Sequence, residues 1–488
     1  MLNKIKQDRI DKLNKIIDLG IDPYPASSSR ARKIENALAD FEMFEKRSEA
    51  IALAGRIVAM RSHGGSIFAN LKDDSGSIQI YFKKDNLNDK KWTLLENIDI
   101  GDFIDASGTL FTTKRGEKTV LVSDFNILSK SLLPLPDKWY GLEDKEIRFR
   151  KRYLDLLMNK DVKERFIKRS KIIKELRQLL DKEGFLEVET PILQPLAGGA
   201  AATPFVTHLN ALDMDLYLRI APEMYLKRLI VGGFEKIYEI GRCFRNEGMD
   251  RSHNPDFTML EFYWAYKDYN FLMEFTEKLL SQIVKNITGG YKIKYQGEEI
   301  DFTAPWPRFS FVKSINDACG VDILELASEE KLRGAMEKLG IKTKGLVGFG
   351  KLADELYKET VRKKITNPVF IVDHPIQLGP LAKAYKGKRI VQRFQVVANG
   401  FEIVNAYSEL NDPIEQRKRL EYQLELKKKG DDEAPAELDE DYIEAMEYGM
   451  PPIAGWGMGV DRFAALLTDA PSLREIILFP TMKAETKS

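Results

Sequence analysis

The sequence predicts an α+β chain in which a small five-stranded β-barrel precedes a larger domain of mixed strands and helices. Three observations predict it. Short apolar runs of strand length crowd between 51 and 127, separated by turn-forming residues. Beyond about 166, helical and strand-like patterns alternate without the βαβ rhythm of a parallel sheet. The 488 residues also exceed what one core holds, since single hydrophobic cores stop growing at roughly 250–300 residues. The expected division is a helical extension over 1–50, the barrel over 51–131, a linker over 132–165 and the larger domain over 166–488.

Composition narrows the function classes. Lys plus Arg equals Asp plus Glu at 75 each, so no global positive field advertises a nucleic-acid partner and any RNA contact must use local patches. Two cysteines, Cys243 and Cys319, exclude a disulfide framework, and four histidines give no Cys/His cluster at zinc spacing. A reducing, cytoplasmic setting is expected. The amino terminus alternates charges with Leu and Ile, and no run approaches ~18 apolar residues, so neither export nor membrane insertion is expected.

Residues 2–18 place Ile5, Leu13, Ile16 and Ile17 near one helical face, and Gly20 with Asp22-Pro23 ends the helix. Its basic face suits RNA or plain solvent equally. The strand-like runs are 51–60, 66–72, 77–82, 103–111 and 119–127, divided by Gly64-Gly65, Asp73-Asp74-Ser75-Gly76 and Lys114-Arg115-Gly116. An oligonucleotide-binding (OB) barrel is one such five-stranded design, and it captures single-stranded bases on exposed aromatics. Phe68 and Gln79, on neighbouring strands, are placed for this, although barrel statistics alone favour Phe68 as core. Pro134, Pro136 and the run Arg148, Arg150, Lys151, Arg152 read as a linker entering a basic segment. An amphipathic helix follows over 162–183 and stops at Gly184. Residues 318–366 read as a helical insertion, with helices over 324–339 and 351–364, and 427–433 as a solvated loop. The chain contains no GxGxxG and no GxxxxGK[ST], so a nucleotide site must be built without those loops.

Three segments carry the chemistry: GFLEVETPIL (184–193), FRNEGMDRSHNPDFTMLEFY (244–263) and GWGMGVDR (455–462). In order and spacing they resemble motifs 1, 2 and 3 of the class II aminoacyl-tRNA synthetases, over nearly the whole chain. The resemblance implies a catalytic domain built on an antiparallel sheet flanked by helices, ATP as substrate and magnesium as cofactor. A carboxylate attacking the α-phosphate of ATP concentrates negative charge there, and an arginine fork on a strand suits it. By resemblance Arg245 holds that phosphate. Glu247, two residues along the same strand face, meets the adenine end, His253 and Phe257 flank the nucleotide, and Arg462 closes the opposite face of the base. Arg245, Glu247 and Arg462 are thus the expected catalytic residues. Gly455, Gly457 and Gly459 remove side chains where backbone must approach a ligand or another strand. Relatives carry two metal-binding carboxylates seven residues apart; this chain has Glu402 at the second position but Gln395 at the first.

The segments EIVNAYSELND (402–412) and APEMYLKRL (221–229) resemble the lysyl branch of subclass IIb. Stripping water from both ammonium groups of lysine demands carboxylate partners. By resemblance Glu223 and Glu261 serve the α-amino end with Asn405 nearby, and Glu409 and Tyr263 meet the ε-ammonium. Aspartate-specific relatives place an arginine where Glu409 falls. The segment GGAAATPF (198–205), with Gly199, resembles a loop that closes over bound amino acid, and Thr203 stands where relatives carry a basic residue. Phe68, Gln79 and Glu117 match positions that contact anticodon bases, which makes lysine tRNA the expected partner, and motif 1 around Pro191 implies a homodimer. Aspartyl or asparaginyl specificity, and a lysylating modifier of another protein, remain the competing readings.

Overall fold

A computed structural model describes residues 2–136, 142, 144–251, 253–326, 328–435 and 437–484. The chain divides into two compact units, Met1–Gly141 and Leu142–Ser488. No described helix is long and apolar enough to cross a membrane.

In the first unit, strands β1 (Ala50–His63), β2 (Ser66–Lys72), β3 (Ser77–Lys83), β4 (Phe103–Thr112) and β5 (Lys118–Ser129) close into a barrel in the order β1-β2-β3-β5-β4. Period-two alternation sets the faces: Ile78, Ile80 and Phe82 fill the interior, while Gln79 and Tyr81 between them point outward. The strand β1 outruns the expected 51–60 because its hairpin with β2 stays paired to His63↔Ser66. A helix at Asp89–Glu96, unforeseen in the sequence, bridges β3 and β4 and is capped by Asn88, whose side chain accepts from the Lys91 amide at 2.8 Å. The amino-terminal helix Leu2–Asp18 forms as expected, and its inner face carries Ile5, Leu13 and Ile16, with Arg9 between Ile5 and Leu13. Ile16 is buried, Ile17 alone of the expected face turns out at 52% exposure, and Arg9 is buried beside Ile16. The Arg9 guanidinium donates to the backbone carbonyls of Ile100, Ser131 and Leu133. A buried arginine that satisfies carbonyls is invisible to a hydrophobic-periodicity argument.

The second unit is organised by an eight-stranded sheet. Its strands are β6 (Leu186–Glu187), β7 (Lys236–Phe244), β8 (Asp256–Ala265), β9 (Arg308–Ser310), β10 (Val369–Val372), β11 (Arg393–Ala398), β12 (Phe401–Ser408) and β13 (Ile453–Gly459). They lie in the order β9-β10-β11-β12-β13-β8-β7-β6. Every neighbouring pair is antiparallel except β6 with β7 and β9 with β10 at the two edges. One face packs Tyr238, Leu260, Phe262, Ala406, Trp456 and Met458 under the helices Lys160–Lys182 and Tyr269–Thr288. There Trp456 stacks on Phe262 with centroids 4.8 Å apart, and its indole donates to Thr276 at 2.9 Å. The opposite face is left for the site.

Several expectations change in this unit. The predicted helix over 324–339 is two, Ile323–Leu326 and Glu329–Lys338, with Ser328 capping the second. The helix expected over 351–364 is Phe349–Thr360 followed by a 3-10 turn at Arg362–Lys364. With Phe311–Cys319 they pack around Ile315, Leu332, Met336, Leu352 and Leu356. The run 427–433 is not a plain solvated loop: Lys427 and Lys428 end the helix Pro413–Lys428, and buried Asp431 receives Lys351 Nζ at 2.6 Å. Part of the expected linker, 137–141 and 143, lies outside the described residues. Its basic segment is structural, since Arg152 is fully buried and donates to the carbonyls of Arg474, Ile477 and Leu478.

Candidate active site

Because side chains alternate across a strand, the odd-numbered residues of β8 turn away from the Phe262–Trp456 core, and so do their partners. In register, Glu261 and Asn405 lie either side of Gly457, and Tyr263 and Tyr407 either side of Gly455. The strand β13 therefore makes a glycine floor between two functional strands. A Cβ at Gly455 would sit 2.0 Å from Glu409 Oε1 and 2.7 Å from Tyr263 Cε1, so any side chain there collides with the pocket wall. Gly199, at φ +87°, plays a similar part in the 198–205 loop, where a Cβ would lie 2.9 Å from the Glu223 Cβ. Above this floor is a cavity of about 470 Å³ whose walls include Gly199, Glu223, Arg245, Glu261, Asn405, Glu409 and Arg462.

The inner end is dry and anionic. Glu223, Glu261 and Glu409 are all at least 95% buried, Glu409 at 1% exposure. Tyr407 donates to Glu223 Oε1 at 2.7 Å and Tyr263 to Glu261 Oε2 at 3.3 Å. Burial, reinforced by the neighbouring Glu223, pushes the carboxyls of Glu261 and Glu409 well above the usual carboxylate range. The Tyr263 and Tyr407 hydroxyls are raised too, first by burial and then by Glu223. Glu409 Oε1 is buried without a hydrogen-bond partner among the described residues. Such a group is costly unless something cationic arrives.

The outer end is open and cationic. Arg245 follows the last residue of β7, and its amide donates to the Pro255 carbonyl at 2.8 Å, one step past the ladder. Glu247 is exposed in the loop beyond, so the expectation that both ride one strand is corrected: β7 ends at Phe244. Both still line the cavity. The Arg245 guanidinium lies 5.0 Å from the Phe257 ring centroid, and its buried Nε has no hydrogen-bond partner among the described residues. Arg462, in the helix Val460–Leu467, donates to the Glu402 carbonyl at 3.2 Å and comes 3.3 Å from His253 Nε2. His253 Nδ1 is 2.9 Å from Asp250 Oδ2. Asp461, beside Arg462, is 2% exposed; it accepts from the Thr258 amide at 2.9 Å and pairs with Arg169 at 2.8 Å. One carboxylate thereby ties the third motif to the second and to the helix that precedes the first.

The two positions expected at the metal are differently placed. A bulge at Ile403, where Val396↔Val404 gives way to Val397↔Glu402, lets even-numbered Glu402 line the same cavity as its odd-numbered neighbours. Gln395 pairs with Asn405 across the ladder, is 5% exposed, and its Oε1 lies 3.2 Å from His374 Nε2. Among the described residues no group of three or more His, Cys, Asp or Glu side chains converges as a metal site. Thr203 bonds through its backbone, its carbonyl accepting from the Asn246 amide at 2.7 Å, which ties the 198–205 loop to the second motif.

In the barrel, Phe68 is half-buried on the outer face and stacked on Tyr81, with centroids 4.4 Å apart, so the statistical expectation of a core residue gives way. Gln79 accepts from the Thr119 hydroxyl at 2.8 Å, and Glu117 is exposed in the β4–β5 turn.

Sequence reasoning missed Lys227, Arg393 and Tyr407. Arg393 donates to Asn405 Oδ1 at 2.7 Å, and Lys227 pairs with both Glu223 and Glu409. A signal was available for Lys227, which stands one helical turn after Glu223 on an otherwise apolar face.

Comparison with known proteins agrees with this geometry. Residues 144–483 match the family model described as tRNA synthetases class II (D, K and N), and residues 51–128 match that of the OB-fold nucleic acid binding domain. The chain is 48% identical over 483 residues to the lysine–tRNA ligase of Syntrophomonas wolfei subsp. wolfei, covering 99% of this chain and 97% of that protein. It is 47% identical to that of Carboxydothermus hydrogenoformans, covering 99% and 98% of the two chains, and 46% identical to that of Staphylococcus aureus, covering 97% of each. With the family model spanning most of the second unit and the motif residues lining one cavity, the chain belongs to the class II tRNA synthetases (D, K and N).

Proposed function

We propose that this protein activates L-lysine with ATP to form lysyl-adenylate and then transfers the lysyl group to the 3′ end of lysine tRNA. The observation that carries the substrate is Glu409: a buried carboxylate at the closed end of the pocket, with an unpartnered oxygen over a glycine floor. An aspartate side chain would meet like charge there, and an asparagine side chain brings no charge to neutralise the buried carboxylate. A site built around a polar partner rejects substrates lacking it by roughly 10⁴–10⁵.

No nucleophilic side chain is required. Glu223 and Glu261 hold the α-ammonium, with Gly199 closing above and Asn405, steadied by Arg393, alongside; Glu409 and Tyr263 hold the ε-ammonium. So oriented, the lysine carboxylate attacks the α-phosphorus of ATP and the bond to pyrophosphate breaks. Arg245 neutralises the charge that gathers on the α-phosphate, while Phe257 and Arg462 sandwich the adenine and Glu247 and His253 meet the nucleotide from the loop. The terminal ribose hydroxyl of the tRNA then attacks the carbonyl carbon and AMP departs. Membership of the family implies magnesium; Glu402, whose hard carboxylate oxygens line the cavity, would hold the ion, which would supply positive charge against the phosphates. Gln395 offers only a neutral carboxamide, already beside His374.

Phe68, Gln79 and Glu117 read the anticodon, with Phe68 as a stacking platform, a role its outward, Tyr81-backed position supports. Exposed apolar side chains around the first motif, Leu186, Ile192 and Leu193, support a homodimer through that edge. Two free cysteines suit a reducing cytoplasm. Of the competing readings, a lysylating protein modifier has no use for the barrel.

Aminoacylation of transcribed lysine tRNA by wild type and Glu409→Gln, with lysine and ornithine offered in parallel, tests the assignment. The wild type charges lysine and discriminates against ornithine. The variant loses about 10²–10³-fold in kcat/KM for lysine, the cost of removing one partner from a buried charge pair. Unchanged lysine charging by the variant removes Glu409 as the ε-ammonium partner, and wild-type preference for aspartate or asparagine overturns the substrate. Phe68→Ala raises the KM for tRNA about tenfold and leaves lysine-dependent pyrophosphate exchange untouched.

A further inference from the structure

Lys227 is completely buried and does not line the cavity. It stands one helical turn along the helix Glu223–Val231, and its Nζ lies 2.5 Å from Glu223 Oε1 and 2.5 Å from Glu409 Oε2. The rings of Tyr407 and Tyr442 flank it, 5.6 and 5.8 Å from the ammonium. We propose that Lys227 is a resident counter-ion and positioning residue of the amino-acid pocket, gripping Glu223 and Glu409 from behind so that Glu409 Oε1 stays fixed for the substrate ε-ammonium. The inference rests on lysine being the substrate.

Two arguments carry it. The first is geometric. Glu409 has one oxygen held by Lys227 and the other, Oε1, lying over Gly455 on the cavity side. A carboxylate hinged on its own side-chain bonds would otherwise swing; the ion pair fixes which oxygen faces the ligand and at what depth, and depth separates lysine from a homologue one methylene shorter. The second is charge. Glu223, Glu261 and Glu409 against Lys227 leave two negative charges uncompensated, the number that the two ammonium groups of lysine supply. Without Lys227 three buried carboxylates would face two ammonium groups, and at least one would take up a proton and lose the charge that holds its partner. Burial opposes the charge on Lys227, but Glu223 and Glu409 together hold its ammonium well above the ordinary lysine range. The titratable groups around it are Glu223 on its own helix, Glu409 and Tyr407 at the β12 end, Glu261 and Tyr263 on β8, and Tyr442 in the helix Glu440–Glu447.

Lysine-dependent exchange of pyrophosphate into ATP, run with Lys227→Met, Lys227→Gln and Lys227→Arg in the full chain across pH, tests the proposal. Wild-type exchange with lysine is measured first; its absence condemns the substrate assignment, not Lys227. Given wild-type activity, Lys227→Met and Lys227→Gln raise the lysine KM about 30-fold or more. The ATP KM and kcat change by less than about threefold, ornithine discrimination shrinks, and the pH at which lysine binding fails moves upward. Lys227→Arg, which keeps the charge, restores part of the lysine KM and the wild-type pH profile. A lysine KM and pH profile unchanged in Lys227→Met, or losses spread evenly over lysine KM, ATP KM and kcat, overturn the proposal. So does a set in which none of the three folds, because the ammonium would then be a requirement of the fold instead of lysine binding.

Discussion

The two ends of one cavity are built on opposite principles. At the end proposed for the amino acid, Glu223, Glu261, Glu409 and Lys227 are all at least 95% buried; Lys227 pairs with Glu223 and Glu409, and Glu261 accepts from Tyr263. At the end proposed for the nucleotide, Arg245, Glu247 and His253 sit on or near a loop beyond β7, partly exposed, and Arg245 keeps a buried Nε without a hydrogen-bond partner among the described residues. The difference follows from the tasks. Choosing one amino acid needs charges fixed at known depth in a dry site, where an unpaired charge is severely penalised. Gripping ATP and releasing AMP needs an entrance, and the charge to be stabilised there appears only during reaction.

Four measurements break or sharpen that contrast. Arg245→Gln strikes the open end: kcat for pyrophosphate exchange falls about 10²–10³-fold, as when one transition-state donor is removed, while the lysine KM stays within about twofold. A comparable rise in lysine KM would mean the two ends are not separable. Gly455→Ala strikes the closed end, because the new Cβ meets Glu409 Oε1 at 2.0 Å; the lysine KM rises about 10–100-fold with ATP binding retained, overpacking costing ~1–3 kcal/mol. The pH dependence follows from the carboxyls of Glu261 and Glu409, which burial pushes above the usual carboxylate range, Glu409 to about 8, so that protons compete for them. Lysine binds their ionised forms and must expel those protons, so its KM rises about tenfold as pH is lowered from about 8 to about 6 while the ATP KM stays flat. An ATP KM that tracks the lysine KM would contradict the separation. The smallest effect belongs to Gln395→Glu, which adds an anionic oxygen on the strand paired with that of Glu402 and lowers the magnesium concentration for half-maximal exchange about two- to fivefold. Identical magnesium titrations of the two proteins remove Gln395 from the metal's surroundings.

Much of this was legible in the chain. Five strand-length runs with turn residues between them were enough for the barrel, and glycine rhythm plus Arg462 marked the third motif. What periodicity could not reach were polar residues turned inward: Arg9 and Arg152, which satisfy backbone carbonyls, and Asp431, which pairs with Lys351 inside a run that reads as solvated. Asp461 belongs with them, buried between two motifs where it accepts from the Thr258 amide and pairs with Arg169.

The sequence by itself determined the barrel and the order of the three motifs, and through their resemblance to a known family the reaction, because residue types and strand alternation are local properties. Which residues share the cavity was decided only by tertiary structure. Strand register put Gly455 and Gly457 between the functional residues of β8 and β12, the bulge at Ile403 turned Glu402 to the site face, and a helix from elsewhere in the chain delivered Lys227 to Glu409. The physical reason is that a charge lying 182 residues from its partner in sequence has no local signature. It is stabilised only where folding removes the water around both.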